Sequence, residues 1–157
     1  HKTLESFLIL CFSSLHIGDA KPLRLEQFTD THFTYYRIKL RNSKPEPIVV
    51  PMSNPLKTVL NNIVGVRKKG LIFEKIPADQ TMNKDLKAIA KIVEIDKPLT
   101  HKVGRHTFAT IFLRRTKDLA TLKAILGHSD LKETMVYAHV MDESKQEGIL
   151  VFNEFTI

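Results

Sequence analysis

The sequence predicts an α+β domain, mainly α-helical with a small antiparallel β-sheet. Three observations carry this expectation. Apolar residues recur at helical spacing through most of the 157 residues. One segment near residue 40 sets β-branched and aromatic residues on both sides of a polar turn. No repeat, low-complexity run or evident linker divides the chain, which at this length hides roughly two thirds of its unfolded surface on folding.

Leu4, Phe7, Leu8, Cys11, Phe12 and Leu15 predict an amphipathic helix over 3–15, ended by "HIGDAKP". A short helix or turn follows through residue 28. The stretch 33–51, "FTYYRIKLRNSKPEPIVVP", predicts a two-stranded hairpin with a basic tip, its second strand placed at an edge by Pro45 and Pro47. In "SNPLKTVLNNIV" Ser53 or Asn54 is the expected N-cap, Pro55 lies in the first turn, and Leu56, Val59, Leu60 and Ile63 share a face. "KKGLIFEK", 68–75, is a candidate third strand. "TMNKDLKAIAKIVEI" predicts a helix through Leu86, Ile89, Ala90 and Val93, closed by Pro98. Helices are expected at roughly 102–115, 118–126, 130–139 and 141–151.

Lys and Arg number 24 against 17 Asp and Glu, a formal charge of +7, with a pI near 9.5. A surplus of this size suits either a polyanionic partner or a well-solvated surface. A single cysteine, Cys11, excludes an internal disulfide and a cysteine-based metal site, and "FLILCF" points to a small buried hydrophobe in a reducing compartment. That six-residue run is the longest apolar one, far below the roughly 20 residues of a membrane span, so a soluble protein is expected. The opening "HKTLESF", without Met or a signal-like n-region, reads as a fragment of a longer protein.

Arg105 precedes Phe108, Ala109 and Phe112 at helical spacing and so faces the core. It is either a buried arginine satisfied by an internal carboxylate or a forked donor for an outside phosphate or carboxylate. The stripe Leu119, Leu122, Ile125 and Leu126 ends at Gly127, the expected C-cap, and Asp130 with Glu133 resembles a capping box. His128 is held in the corner between them, as a structural or a reactive histidine. Tyr137 near the end of the next helix is either core, covered by Leu131 and Met135, or a nucleophile. His101 and His106 are five apart and no H-E-x-x-H occurs, so a metal site is not expected.

Taken together, "FLILCFSSLHIGDAKPL", "LTHKVGRHTFATIFL" and "LKAILGHSDLKETMVYAH" resemble the catalytic domain of the tyrosine recombinase, or phage integrase, family, especially integrases of bacterial mobile elements. The match covers nearly the whole chain and is residue by residue at Arg105–Thr110, Leu126–Ser129 and Tyr137–His139. It implies the DNA breaking-rejoining fold, with residues 1–157 forming a catalytic domain that lacks an N-terminal DNA-binding domain. The implied activity is metal-free, cofactor-free site-specific recombination through a 3′-phosphotyrosyl intermediate on Tyr137. Double-stranded DNA is the implied partner, with self-association on DNA in the full-length protein, no membrane, and a bacterial cytoplasmic location on DNA.

The resemblance makes Tyr137 the nucleophile, Arg105 a clamp arginine and His128 a donor to the phosphate. Three positions depart from the family pattern. His16 stands where "G-L-R-x-x-E/D" has its arginine, with Asp19 in the acidic slot. Lys102 occupies the histidine of "H-x-x-R", with His101 one position early. Arg41 opens the turn where a general-acid lysine is usual, with Lys39 and Lys44 near by. His16, Lys39, Lys44 and His106 are the implied DNA contacts. An imidazole lacks arginine's permanent charge and bidentate fork, and arginine is a poor general acid. The alternative expectation is therefore a diverged domain that binds DNA but has lost cleavage. The tail "MDESKQEGILVFNEF" is amphipathic and is expected to fold back on its own core.

Overall fold

Helix α1 (Lys2–Ser13) buries Thr3, Ser6, Phe7, Ile9, Leu10 and Ser13, so its inward face is rotated from the purely apolar stripe that spacing predicts. Leu4 is left 38% exposed. Small polar residues take the inward positions because their hydroxyls are satisfied locally: Thr3 donates to Asp85 at 2.6 Å and Ser6 to the Lys2 carbonyl at 2.7 Å. The computed structural model, which describes residues 2–43, 46–141 and 153, has two compact units, 1–108 and 109–157.

In the first unit α1 packs on α3 (Asn54–Val64) and α4 (Asp79–Ile92). It also meets the start of α5 (His101–Thr116): a Cβ on Gly104 would lie 2.8 Å from Leu10 Cβ and 3.3 Å from the Cys11 nitrogen. Ser14, fully buried with φ of 64°, stops α1. A one-turn helix α2 (Ile17–Ala20) follows, N-capped by His16.

Strands β1 (His32–Tyr35) and β2 (Ile48–Pro51) pair antiparallel, with Phe33 opposite Val50 and Tyr35 opposite Ile48. Phe33, Tyr35 and Val50 face inward and Val49 outward, the period-two alternation of a half-buried ribbon. Phe33 stacks between Phe28 and Tyr35, with ring centroids 4.9 and 6.0 Å away. The connection is not the simple hairpin tip expected. The ladder stops at Tyr35, the Ile38 amide turns to Asp19, and Ile38–Ser43 form a 3-10 turn. The third strand expected at 68–75 is also absent among the described residues. Leu71 makes an isolated bridge to Arg24, and Arg67 fastens the stretch through the Leu71 and Ile72 carbonyls.

Helix α3 starts as predicted, with Ser53 as N-cap and Pro55 in the first turn, and buries Leu56, Leu60 and Val64. Helix α4 starts earlier than predicted and buries Met82, Leu86 and Ala90. It ends at Ile92, before Pro98 can act, and Glu94 is left-handed with φ of 56°. Val93, expected inside, is 55% exposed.

In the second unit Ala109 and Leu113 of α5 are buried, as are Leu122 and Leu126 of α6 (Leu119–Leu126). Asp118 caps α6 through the Thr121 amide, and Gly127 closes it with φ of 61°. The predicted helix 130–139 is broken: α7 (Leu131–Met135), capped by Asp130, gives way to a turn and then to a 3-10 segment, Ala138–Met141. The expected tail helix lies, beyond Met141, outside the described residues. No helix among the described residues is long and apolar enough to cross a membrane.

Candidate active site

Each unit carries part of the expected set, with His128 and Tyr137 in the second. In the first, the turn between α1 and α2 sets the positions. The left-handed Ser14 turns its carbonyl toward Arg105, whose Nη1 donates to it at 2.7 Å. The close approach of α5 at Gly104 puts this guanidinium one residue past the contact with α1. One acceptor of Arg105 is thus a backbone carbonyl.

Asp19, 5% exposed, accepts the Ile38 amide at 2.9 Å through Oδ1 and meets the Arg37 Nε at 3.3 Å through Oδ2. The Arg37 side chain is 12% exposed. Burial raises the Tyr35 phenol above its ordinary pKa, with the Arg105 charge the largest opposing influence.

His16 lies among these charges. Its Nδ1 accepts the Gly18 amide at 3.2 Å, so the proton of the neutral ring is on Nε2. The ring is open to solvent on one side yet partly enclosed. That enclosure lowers its pKa; Asp19 opposes the shift, while Arg105, His101 and Arg37 reinforce it. His101, 7% exposed, presents its ring edge-on to His16 at 6.3 Å. Asn83 Oδ1 fixes His101, accepting from its backbone N–H at 2.9 Å and lying 3.0 Å from its Nδ1.

Lys102 and His106 are exposed on α5, away from its buried positions His101 and Gly104. Lys39 is exposed on the 3-10 turn. The Arg41 side chain and Lys44 lie outside the described residues.

In the second unit Gly127 turns the chain so that the His128 amide bonds back to the Lys123 carbonyl at 3.1 Å. His128 Nδ1 lies 2.8 Å from the hydroxyl of fully buried Thr134. The Thr134 carbonyl accepts the Tyr137 amide at 3.0 Å. One residue therefore fixes both His128 and Tyr137. Tyr137 sits in the turn after α7 and is 6% exposed. Leu131 and Met135, which the packing alternative would set over it, are themselves 45% and 47% exposed.

Residues 3–144 match the model of the phage integrase family. The chain belongs to the phage integrase family. The integrase of Escherichia phage P2 is 30% identical over 149 residues, covering 92% of this chain and 40% of that protein. The catalytic domain of bacteriophage HP1 integrase superposes with a TM-score of 0.67 at 29% identity, over 95% of this chain and 80% of that one. The XerH site-specific recombinase, solved with palindromic difH substrate after cleavage, gives a TM-score of 0.69 at 15% identity, over 96% of this chain and 46% of that one. The last is a likeness of fold. This tyrosine recombinase fold is the mainly helical one with a two-stranded sheet described above. The chain spans 40% of the P2 integrase and 19% of the XerD recombinase of Halalkalibacterium halodurans.

Arg37, Thr134, Ser14 and Asn83 were not marked by any motif read in the sequence. Only Asp19 gave a signal, as the residue in the acidic slot of the arginine motif.

Proposed function

We propose that the chain is the catalytic domain of a site-specific DNA recombinase that breaks and rejoins strands through Tyr137. The phenol oxygen forms a bond to phosphorus and loses its proton, the P–O5′ bond breaks, and the departing 5′ oxygen takes up a proton. A 3′-phosphotyrosine remains, which the 5′ hydroxyl of another strand later attacks in reverse. Arg105 and His128 hold the non-bridging oxygens, with Lys102 or His101 as a further donor. Lys39, Arg41 and Lys44 supply the candidates for protonating the 5′ oxygen. His16 and His106 contact the DNA. A phenol with a pKa of about 10 is roughly a thousandth ionised at neutral pH and must meet an anionic phosphate, so preorganised cations and donors are what the reaction needs.

What supports this most is the arrangement at Thr134, whose hydroxyl meets His128 and whose carbonyl receives the Tyr137 amide. A merely structural histidine would not need to be tied to the residue that fixes the tyrosine. The second reading, DNA binding without cleavage, is favoured by His16, whose Nδ1 is committed to Gly18 and whose pKa is lowered, so that no permanent charge stands there.

A library of nicked duplexes with randomised sequence separates the two. Cleavage next to the nick releases a short strand and traps the protein on DNA, and the adduct survives denaturing electrophoresis. The wild-type chain is expected to form it and Tyr137→Phe to form none. DNA binding without any adduct in the wild type gives the second reading.

A further inference from the structure

We propose that Thr134 is a positioning residue whose buried hydroxyl donates to His128 Nδ1 and so fixes the neutral imidazole as the tautomer with its proton on Nε2. The inference deepens the strand-transfer reading, on which its catalytic consequence rests, and assigns a role to a side chain that no sequence motif marks.

The first ground is where the hydroxyl proton goes. A helical threonine commonly turns its hydroxyl back to the carbonyl three or four residues earlier. Thr58 does so to Asn54 at 3.1 Å and Thr116 to Phe112 at 3.0 Å. Thr134 of α7 does not. Its Oγ1 lies 2.8 Å from His128 Nδ1, and this is its sole hydrogen-bond partner among the described residues. The side chain is fully buried, so no water takes the proton instead. A buried hydroxyl that fails to donate carries its full desolvation cost.

Two arrangements fit the distance, and they differ in what they strand. With the ring proton on Nδ1, the imidazole donates to Oγ1 and the hydroxyl proton is left inside without an acceptor. With the ring proton on Nε2, Nδ1 accepts the hydroxyl and both groups are satisfied. The second arrangement wins. Whatever Nε2 meets in the chain without DNA, the choice of nitrogen is made at Nδ1.

The second ground is how firmly the pair is seated. Gly127 turns the chain in the left-handed region, and the His128 amide bonds back to the Lys123 carbonyl at 3.1 Å. On the other side Asp130 caps α7 through the Lys132 amide at 2.9 Å. The Thr134 carbonyl receives the Tyr137 amide at 3.0 Å. The hydroxyl thus acts on the histidine ring and the carbonyl on the tyrosine backbone, so a side-chain substitution removes the first link and keeps the second.

On the strand-transfer reading the consequence is directional. An imidazole protonated at Nε2 gives a hydrogen bond to an oxygen on which charge develops. Its basic nitrogen is taken up by Thr134, so neutral His128 serves as a donor and not as the acceptor of the phenol proton.

The test uses the intact chain with histidine rings labelled by nitrogen-15, read by long-range proton–nitrogen correlation at mildly alkaline pH, with the His128 signals identified by their loss in His128→Gln. Wild-type His128 is expected to show a protonated Nε2 and an unprotonated Nδ1. In Thr134→Val the Nδ1 resonance should move, and in Thr134→Ser it should stay near the wild-type position. A protonated Nδ1 in the wild type, or an unmoved Nδ1 in folded Thr134→Val, overturns the inference. These spectra need no DNA, so they decide the assignment even if no adduct ever forms.

Where the wild type does form an adduct, Thr134→Val is expected to slow it about tenfold with DNA affinity unchanged, the scale seen when outer partners that orient metal-bound histidines are removed. Thr134→Ser should recover most of the rate. Adduct formation by folded Thr134→Val at the wild-type rate overturns the positioning role and leaves the recombinase reading standing.

Discussion

His16 shows how a single side chain can serve the fold at the cost of charge. As N-cap of α2 its Nδ1 must stay unprotonated to accept the Gly18 amide, and partial enclosure, Arg105, His101 and Arg37 all push its pKa below the ordinary 6.5. A base whose folded pKa is depressed leaves the unfolded chain binding more protons as pH falls through 6.5. Stability therefore drops below that point until the folded pKa is reached. His16→Asn keeps a good capping acceptor but cannot titrate. Urea unfolding between about pH 7.5 and 5 is expected to show a shallower loss of stability for His16→Asn than for the wild type. Parallel curves would remove the titration argument. Residues of this kind were partly legible. His16, Arg105, His128 and Tyr137 stood out by motif, whereas Arg37 did not, because its partner Asp19 lies far back in the chain and a contact between distant residues leaves no periodic trace.

At the scale of elements, local chemistry wrote its boundaries plainly where a cap carried them. Ser53, Asp118, Gly127 and Asp130 act as their residue types dictate. What spacing alone missed were the boundaries set by tertiary contacts: the end of β1 at Asp19's reach, the rotated face of α1, and the break before Tyr137. Gly104 belongs to that second group, since its smallness is required by α1 rather than by α5. Alanine there gains about 1 kcal/mol of helix propensity. Its Cβ, however, falls 2.8 Å from Leu10 Cβ and 3.3 Å from the Cys11 nitrogen, atoms that cannot rotate aside, and overpacking of this kind costs about 1–3 kcal/mol. Overpacking wins, so Gly104→Ala is expected to lower the urea midpoint. It should also disturb Arg105, the next residue. A raised midpoint would mean that α1 and α5 do not approach so closely. On the same helix, burial pushes the pKa of the half-buried Cys11 thiol to about 11, so it should react slowly with neutral alkylating reagents in the folded chain.

For the whole molecule the decisive quantity is the surplus of seven positive charges. A general cationic surface and a DNA-binding face can carry the same net charge, and they differ in how binding answers to salt. Association with duplex DNA releases condensed counterions, so the logarithm of affinity falls linearly with that of salt, with a slope of about −0.9 for each phosphate neutralised. Arg105 and the exposed Lys39 and Lys102 are enough for about three contacts, which predicts a slope of about −2.7 and a loss of about fortyfold between about 50 and 200 mM salt. Fluorescence anisotropy on a random duplex measures this directly. Lys39→Gln should make the slope shallower by about one contact if that ammonium meets a phosphate, while Arg114→Gln on the exposed end of α5 serves as the comparison. A slope near zero would leave the net charge as ordinary surface solvation. An unchanged slope in Lys39→Gln would leave that lysine as ordinary surface charge.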